Sequence, residues 1–241
     1  METVIKKISS ILSFIVVFCV SAVFYFNYKG FVYENGRIIL QSQTAQAAEM
    51  NGIATILPKN MAINVSAKYA RGAANAPLTL YEYSSLSCPH CADFHLDIEP
   101  KLVEEYVNNG LLRIIFVNFP LEENSMKAAM LSECMTYENY FGFIDTLFDT
   151  QRSWWMERDN DTLFRYAAEY GVSYDEALAC IHNNTVAQEI ITNRQEAIMR
   201  LKMQGTPAFL FSGADGNEII YGVVKYGKLK EYLDARLAGL K

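Results

Sequence analysis

The chain has 241 residues, 51% hydrophobic and 20% charged, which suits one domain carrying an insertion and excludes a disordered or low-complexity chain. Its 21 basic and 27 acidic residues leave a net charge of −6 with no basic cluster, which excludes nucleic acid as a partner. Five cysteines, Cys19, Cys88, Cys91, Cys134 and Cys180, are too few for a fold built on disulfides alone.

Lys6-Lys7 precedes an uncharged run from Ile8 to Tyr28, rich in Ile, Val, Phe and Leu. As a helix it would reach about 30 Å, the thickness of a bilayer's hydrocarbon core. Residues 1–28 are therefore expected to be a membrane anchor or a signal peptide, with the chain beyond them outside the cytoplasm. Val20-Ser21-Ala22 and Ala45-Gln46-Ala47 both resemble cleavage sites, but apolar residues continue past the first, which favours a retained anchor. Cys19, inside the run, reads as a small apolar side chain. Residues 29–75 lack sustained periodicity and read as a linker, with Asn35-Gly36 as a turn and Gly72-Ala73-Ala74 as a loop.

Order is expected from Pro77 onward. Leu78–Tyr83 has the aromatic and β-branched character of a strand. Ser87-Cys88-Pro89 opens a helix, since Pro is tolerated in a first turn where its missing N–H costs nothing. That helix continues through Phe94, Leu96, Ile98, Leu102, Val103 and Tyr106 to Asn109-Gly110, with a kink at Pro100. The apolar run Leu111–Phe119 is a strand covered on both faces. Helices follow at Ser125–Thr136, Glu138–Thr150, Asp161–Tyr170, Ser173–His182 and Thr185–Met203. After Gly205-Thr206-Pro207 come strands at Ala208–Ser212 and Glu218–Tyr221 and a last helix at Lys225–Leu240. The order is β-α-β, a helical block, then β-β-α, an α/β fold.

Cys88-Pro89-His90-Cys91 carries the chemistry. Cysteines three apart at a helix start have Cα atoms about 5 Å apart, within reach of a disulfide. The first faces the free N–H groups of the helix, which favour its thiolate, and His90 supplies a further donor or positive charge. Stabilising the reduced form makes the disulfide easy to give away. Cys91, one turn in, is shielded and attacks a mixed disulfide. The rival reading, half of a zinc site, would need Cys180 and His182, whose spacing suits it poorly. Glu82 in an apolar strand would have its pKa raised by desolvation if buried, or would face water if the strand were at an edge. Trp154-Trp155 could line a groove for unfolded polypeptide or fill the core.

A strand, a C-P-H-C helix, a strand, a helical block and Thr-Pro before a closing hairpin together resemble the DsbA-type thiol:disulfide oxidoreductases. The resemblance spans residues 76–241 and implies a thioredoxin fold with an inserted helical domain at about 122–203. It makes Cys88 the nucleophile and Cys91 the resolving cysteine, with Pro89 and His90 the dipeptide of strong oxidants. It also makes Glu82 a buried acid that assists proton transfer at Cys91, and Thr206-Pro207 a cis-proline loop facing the disulfide. It implies folding secreted proteins as substrates in the periplasm, a DsbB-like membrane partner for reoxidation, and no cofactor or metal, because the cysteines are the redox group. Thr206 stands where Val precedes the proline in many such oxidants, which keeps an isomerase or reductase as the alternative. A binding module for metal or polypeptide is the third reading. Cys134 and Cys180, both in the helical block, would be bridged in an oxidising compartment or remain two reduced core cysteines.

Overall fold

The computed structural model describes residues 31–34, 37–40, 55–58, 61–157 and 160–240. The apolar run Ile8–Tyr28 lies outside them, and no described helix is long and apolar enough to cross a membrane. The chain forms two units, Met1–Glu49 and Met50–Lys241. In the first, strands β1 (Phe31–Glu34) and β2 (Arg37–Leu40) pair antiparallel with Glu34 opposite Arg37.

The second unit is built on a five-stranded sheet. β3 (Thr55–Ile56) is followed by β4 (Leu78–Ser84), helix α1 (Pro89–Asp97), the short α2 (Glu99–Leu102), a π-turn at Val103–Val107, and β5 (Leu112–Asn118). Six helices come next: α3 (Glu123–Glu133), α4 (Tyr137–Asp149), α5 (Gln151–Trp154), α6 (Asp161–Glu169), α7 (Tyr174–Ile181) and α8 (Asn184–Met199). Strands β6 (Ala208–Gly213) and β7 (Gly216–Tyr221) and helix α9 (Tyr226–Gly239) close the unit. The strand order is β3-β7-β6-β4-β5. Only β4 and β5 run parallel, joined by the helical crossover, and the other pairs are antiparallel.

Local chemistry sets the boundaries. Ser173 caps α7 in a reciprocal box with Glu176, and the Asn183 side chain accepts from two N–H groups at the start of α8. The helix expected to bend at Pro100 instead breaks at Ile98 into α1 and α2, because proline cannot donate to the preceding turn. The helix expected to reach Met203 stops at Met199, with Lys202 at φ +58° beyond it.

Residues 29–75 were expected to be a linker, and the described part of that span from 55 onward corrects this. Leu57 N–H donates to the Asn217 carbonyl at 2.9 Å. Arg71 exchanges both backbone bonds with Ile114 on β5, at 2.8 and 2.9 Å. Met61, Ile63, Val65 and Ala70 pack on the same sheet face as Leu210 and Ile219. Such backbone pairing and scattered contacts leave no periodic pattern to read.

The sheet has apolar layers on both faces. Leu78 and Leu80 on β4 pack with Phe94 of α1 and with Leu229 and Leu233 of α9, while Tyr83 faces Leu201 and Met203 on the other side. The helical block forms a third core that also encloses Leu86, Cys88, Cys91 and Phe116. Trp154 belongs to that core and donates its ring N–H to the Leu147 carbonyl, so it fills the interior rather than a groove.

Candidate functional site

β4 ends at Ser84, and the chain turns through Ser85–Ser87, where the Cys88 N–H donates to the Ser85 carbonyl at 3.0 Å. Cys88 then occupies the N-cap of α1 in extended geometry, with Pro89 in the first turn. The N–H groups of Cys91 and Ala92 both return to the Cys88 carbonyl at 3.1 Å. Both thiols are free; Cys88 is 8% exposed and Cys91 fully buried.

The two sulfurs have opposite electrostatics. The Cys91 thiol hydrogen-bonds to the Cys88 sulfur and does most to lower its pKa. Burial opposes this, while the Thr206 side chain and the N–H groups of Cys91 and His90 reinforce it. The net effect brings Cys88 down to about 5 from an ordinary 9.0. Burial and the neighbouring Cys88 sulfur push Cys91 well up, partly offset by Ser84 and Thr206. One sulfur is thus an anion at neutral pH and the other holds its proton.

His90 acts through its backbone. Its ring, expected beside Cys88, is exposed and 3.6 Å from Asp93. The i,i+3 spacing on the helix surface draws the ring to Asp93. The Thr206–Pro207 bond is cis, and the Thr206 carbonyl lies 3.6 Å from the Cys88 sulfur.

Glu82 is fully buried on β4, which lies between β5 and β6, so the edge reading does not hold. Burial first, and the Glu99 carboxylate second, raise its pKa to about 8, while His95 and Ser84 pull it down. The Ser84 hydroxyl, two residues on and on the same strand face, lowers the pKa of both Glu82 and Cys91.

Cys134, at the end of α3, and Cys180 on α7 are joined as a disulfide with Cα atoms 6.3 Å apart. Cys180 is therefore not a free thiolate that could ligate zinc. Glu82, His95 and Glu99 bring one polar atom each within 4.8 Å of one another, a spacing a cation could use. However, His95 Nε2 is hydrogen-bonded to Asp145 at 2.6 Å, and Nδ1 lies 2.6 Å from Glu99 Oε2 as an ion-pair contact without hydrogen-bond geometry, so an unprotonated ring nitrogen would face a carboxylate oxygen. The geometry fits an imidazolium between two carboxylates.

Sequence reasoning singled out Glu82 but missed His95, Glu99 and Asp145 around it. It also missed Gln151, whose buried amide donates to the carbonyls of Leu86 at 2.7 Å and Cys88 at 3.1 Å and so fixes the active turn. The one local signal was the His95–Glu99 pair, four apart on a helix face that the apolar pattern assigns to the core.

A family model described as thioredoxin matches residues 64–235. A Rickettsia bellii protein named as a protein-disulfide oxidoreductase is 26% identical over 144 residues, covering 59% of this chain and 56% of its own length. The chain spans about half the length of the rickettsial relatives it matches. Disulfide bond formation protein D of Bacillus subtilis is 23% identical, covering 70% of this chain and 76% of that protein. Among solved structures, alpha-DsbA1 of Wolbachia pipientis superposes with a TM-score of 0.66 at 29% identity, covering 71% of this chain and 91% of that one. BdbD of Bacillus subtilis, at 22% identity and a TM-score of 0.60 over 70% of this chain and 92% of that one, shares the fold. The chain belongs to the thioredoxin family and is DsbA-like, with a helical insertion in the thioredoxin fold.

Proposed function

We propose that this thioredoxin-family chain is a protein thiol:disulfide oxidoreductase that donates a disulfide to exported, folding proteins, with Cys88–Cys91 as its redox pair. The observation that carries the reading is the asymmetry of the two sulfurs, Cys88 at the helix N-cap favoured as thiolate and Cys91 buried as thiol.

A client thiolate attacks the Cys88 sulfur of the oxidised pair, and the S–S bond breaks. Cys91 leaves with the electron pair and takes a proton from Glu82, with the Ser84 hydroxyl acting on both groups. A second client thiol gives its proton to solvent and attacks the client sulfur of the mixed disulfide, and Cys88 leaves as a thiolate. The client loses two electrons, and the cysteine pair holds them. The Thr206 carbonyl beside Cys88 and the cis-Pro207 turn offer backbone groups to the client chain at the point of attack. The stabilised Cys88 anion makes it a good leaving group and drives the transfer.

A DsbB-like membrane protein would remove the two electrons and restore the disulfide. Residues 1–28 would export the protein or hold it at the membrane facing the periplasm, with residues 76–241 as the DsbA-like domain. The isomerase or reductase reading keeps one feature in its favour, Thr206 before the proline.

Redox equilibration of Cys88–Cys91 against glutathione, with thiol trapping in cells, separates these readings. A potential above about −180 mV and a pair found mostly as disulfide are expected. A potential near that of a reductase, about −270 mV, with the pair found as dithiol, would reverse the direction. A stoichiometric metal lost on alkylation would replace both.

A further inference from the structure

Glu82 has no exposed surface, and among the described residues no partner meets either of its side-chain oxygens in good hydrogen-bond geometry. Its polar neighbours include Glu99, His95 and the Ser84 hydroxyl. His95 is held on both sides, with Nε2 hydrogen-bonded to Asp145 Oδ1 at 2.6 Å and Nδ1 in an ion-pair contact with Glu99 Oε2 at 2.6 Å. Arg71 completes the frame, pairing with Glu99 at 3.1 Å and with Asp145 at 3.0 Å. The clamp joins three parts of the fold: Glu99 and His95 come from the crossover helices, Asp145 from α4 in the helical block, and Arg71 from the segment before β4. With a carboxylate oxygen 2.6 Å from each ring nitrogen, an imidazolium sets positive charge against both, whereas a neutral imidazole would set an unprotonated nitrogen against one of them.

We propose that His95 is a positioning residue for thiol exchange: clamped as an imidazolium between Glu99 and Asp145, it places a standing positive charge beside Glu82 and sets how readily that carboxyl trades its proton with Cys91. The inference rests on the redox reading of Cys88–Cys91 given above. Burial works against charging His95, but Glu99, Asp145 and Glu82 outweigh it and hold the ring's pKa up to about 10. The ring is therefore charged throughout the range in which Glu82 titrates. The rings of Phe116 and Phe148, which carry no charge, also face it, and Tyr140 is a further titratable neighbour of Glu82.

The step that reads this charge is release of a mixed disulfide. The Cys91 thiol gives its proton to ionised Glu82, and the Cys91 thiolate attacks Cys88. The Cys88–Cys91 bond forms while the departing thiolate takes a proton from water. The rate rises with pH as Glu82 ionises. Removing the positive charge raises the proton affinity of Glu82 and moves that rise to higher pH.

The test uses the full chain carrying glutathione on Cys88 and follows glutathione release from pH 5 to 10 in wild type, His95→Gln and His95→Lys. The inflection is expected near 8 in wild type. It should lie at least about one unit higher in His95→Gln, a tenfold slower release at a pH below both inflections, and return towards wild type in His95→Lys. An unmoved inflection in a folded His95→Gln protein overturns the proposal. Should that variant not fold, nuclear magnetic resonance of the wild-type ring decides, with both nitrogens protonated at pH 8 expected and a neutral ring contradicting it. Wild-type protein that never releases glutathione would instead refute the redox reading itself.

Discussion

Replacing Cys88 with serine is expected to cut disulfide transfer to a reduced dicysteine peptide by at least about a thousandfold, because the attacked sulfur and the stabilised leaving group are one atom. The alcohol that replaces it forms no disulfide and stays protonated at neutral pH. The surroundings would change little, since Cys88 is part of the turn through backbone bonds that serine keeps, and serine is itself a good N-cap. Cys91→Ser should behave differently. Cys88 would still react, but the group that returns the sulfur to the pair would be gone, so adducts between Cys88 and client proteins should accumulate. They should vanish in the double variant and on reduction. Retained transfer in Cys88→Ser, or a Cys91→Ser protein that captures nothing, would contradict the assignment.

The second large effect concerns stability. The Cys134–Cys180 bond spans 46 residues and ties the end of α3 to α7 across the helical block. Chain-entropy reasoning for a loop of that length gives about 4 kcal/mol, a large share of the 5–15 kcal/mol that typically holds a domain folded. Replacing both cysteines with alanine should therefore lower the urea midpoint strongly while leaving the thiol chemistry at Cys88 in place. The comparison must be made with Cys88–Cys91 in one redox state. An unchanged midpoint would show that the bridge carries little of the fold's stability.

Much of this architecture can be read from the residues. The alternation in Leu78–Tyr83, the Pro at the start of α1, the apolar run of β5 and the Ser173 cap each report a local preference that the fold keeps. The cysteine motif was legible for the same reason, because cap chemistry is written within a few residues, whereas the cis bond before Pro207 was expected from the family resemblance alone. The segment from 55 to 76 was not, since it is held by backbone bonds to Ile114 and Asn217 and by side chains such as Arg71. The clamp around His95 was hidden too: Arg71 and Asp145 are brought together by tertiary packing, and no local pattern records that. His90 misled in the opposite way. Its position two residues after Cys88 suggested a side-chain role, yet on the helix the ring lies 3.6 Å from Asp93, and it is the backbone N–H that lowers the pKa of the sulfur.

The central claim is that Cys88 is an anion at neutral pH in the reduced protein. Its pKa of about 5, against an ordinary 9.0, stabilises the folded reduced form fully above the ordinary thiol range, and that stabilisation is lost as pH falls through about 5. At pH 7 the difference is about 3 kcal/mol, or about 60 mV for a two-electron couple, in favour of giving the disulfide away. Titration of the reduced protein by its ultraviolet thiolate absorbance measures this directly. A single-thiolate transition near pH 5, absent in Cys88→Ser, is predicted; a first thiolate appearing only near pH 9 would contradict it.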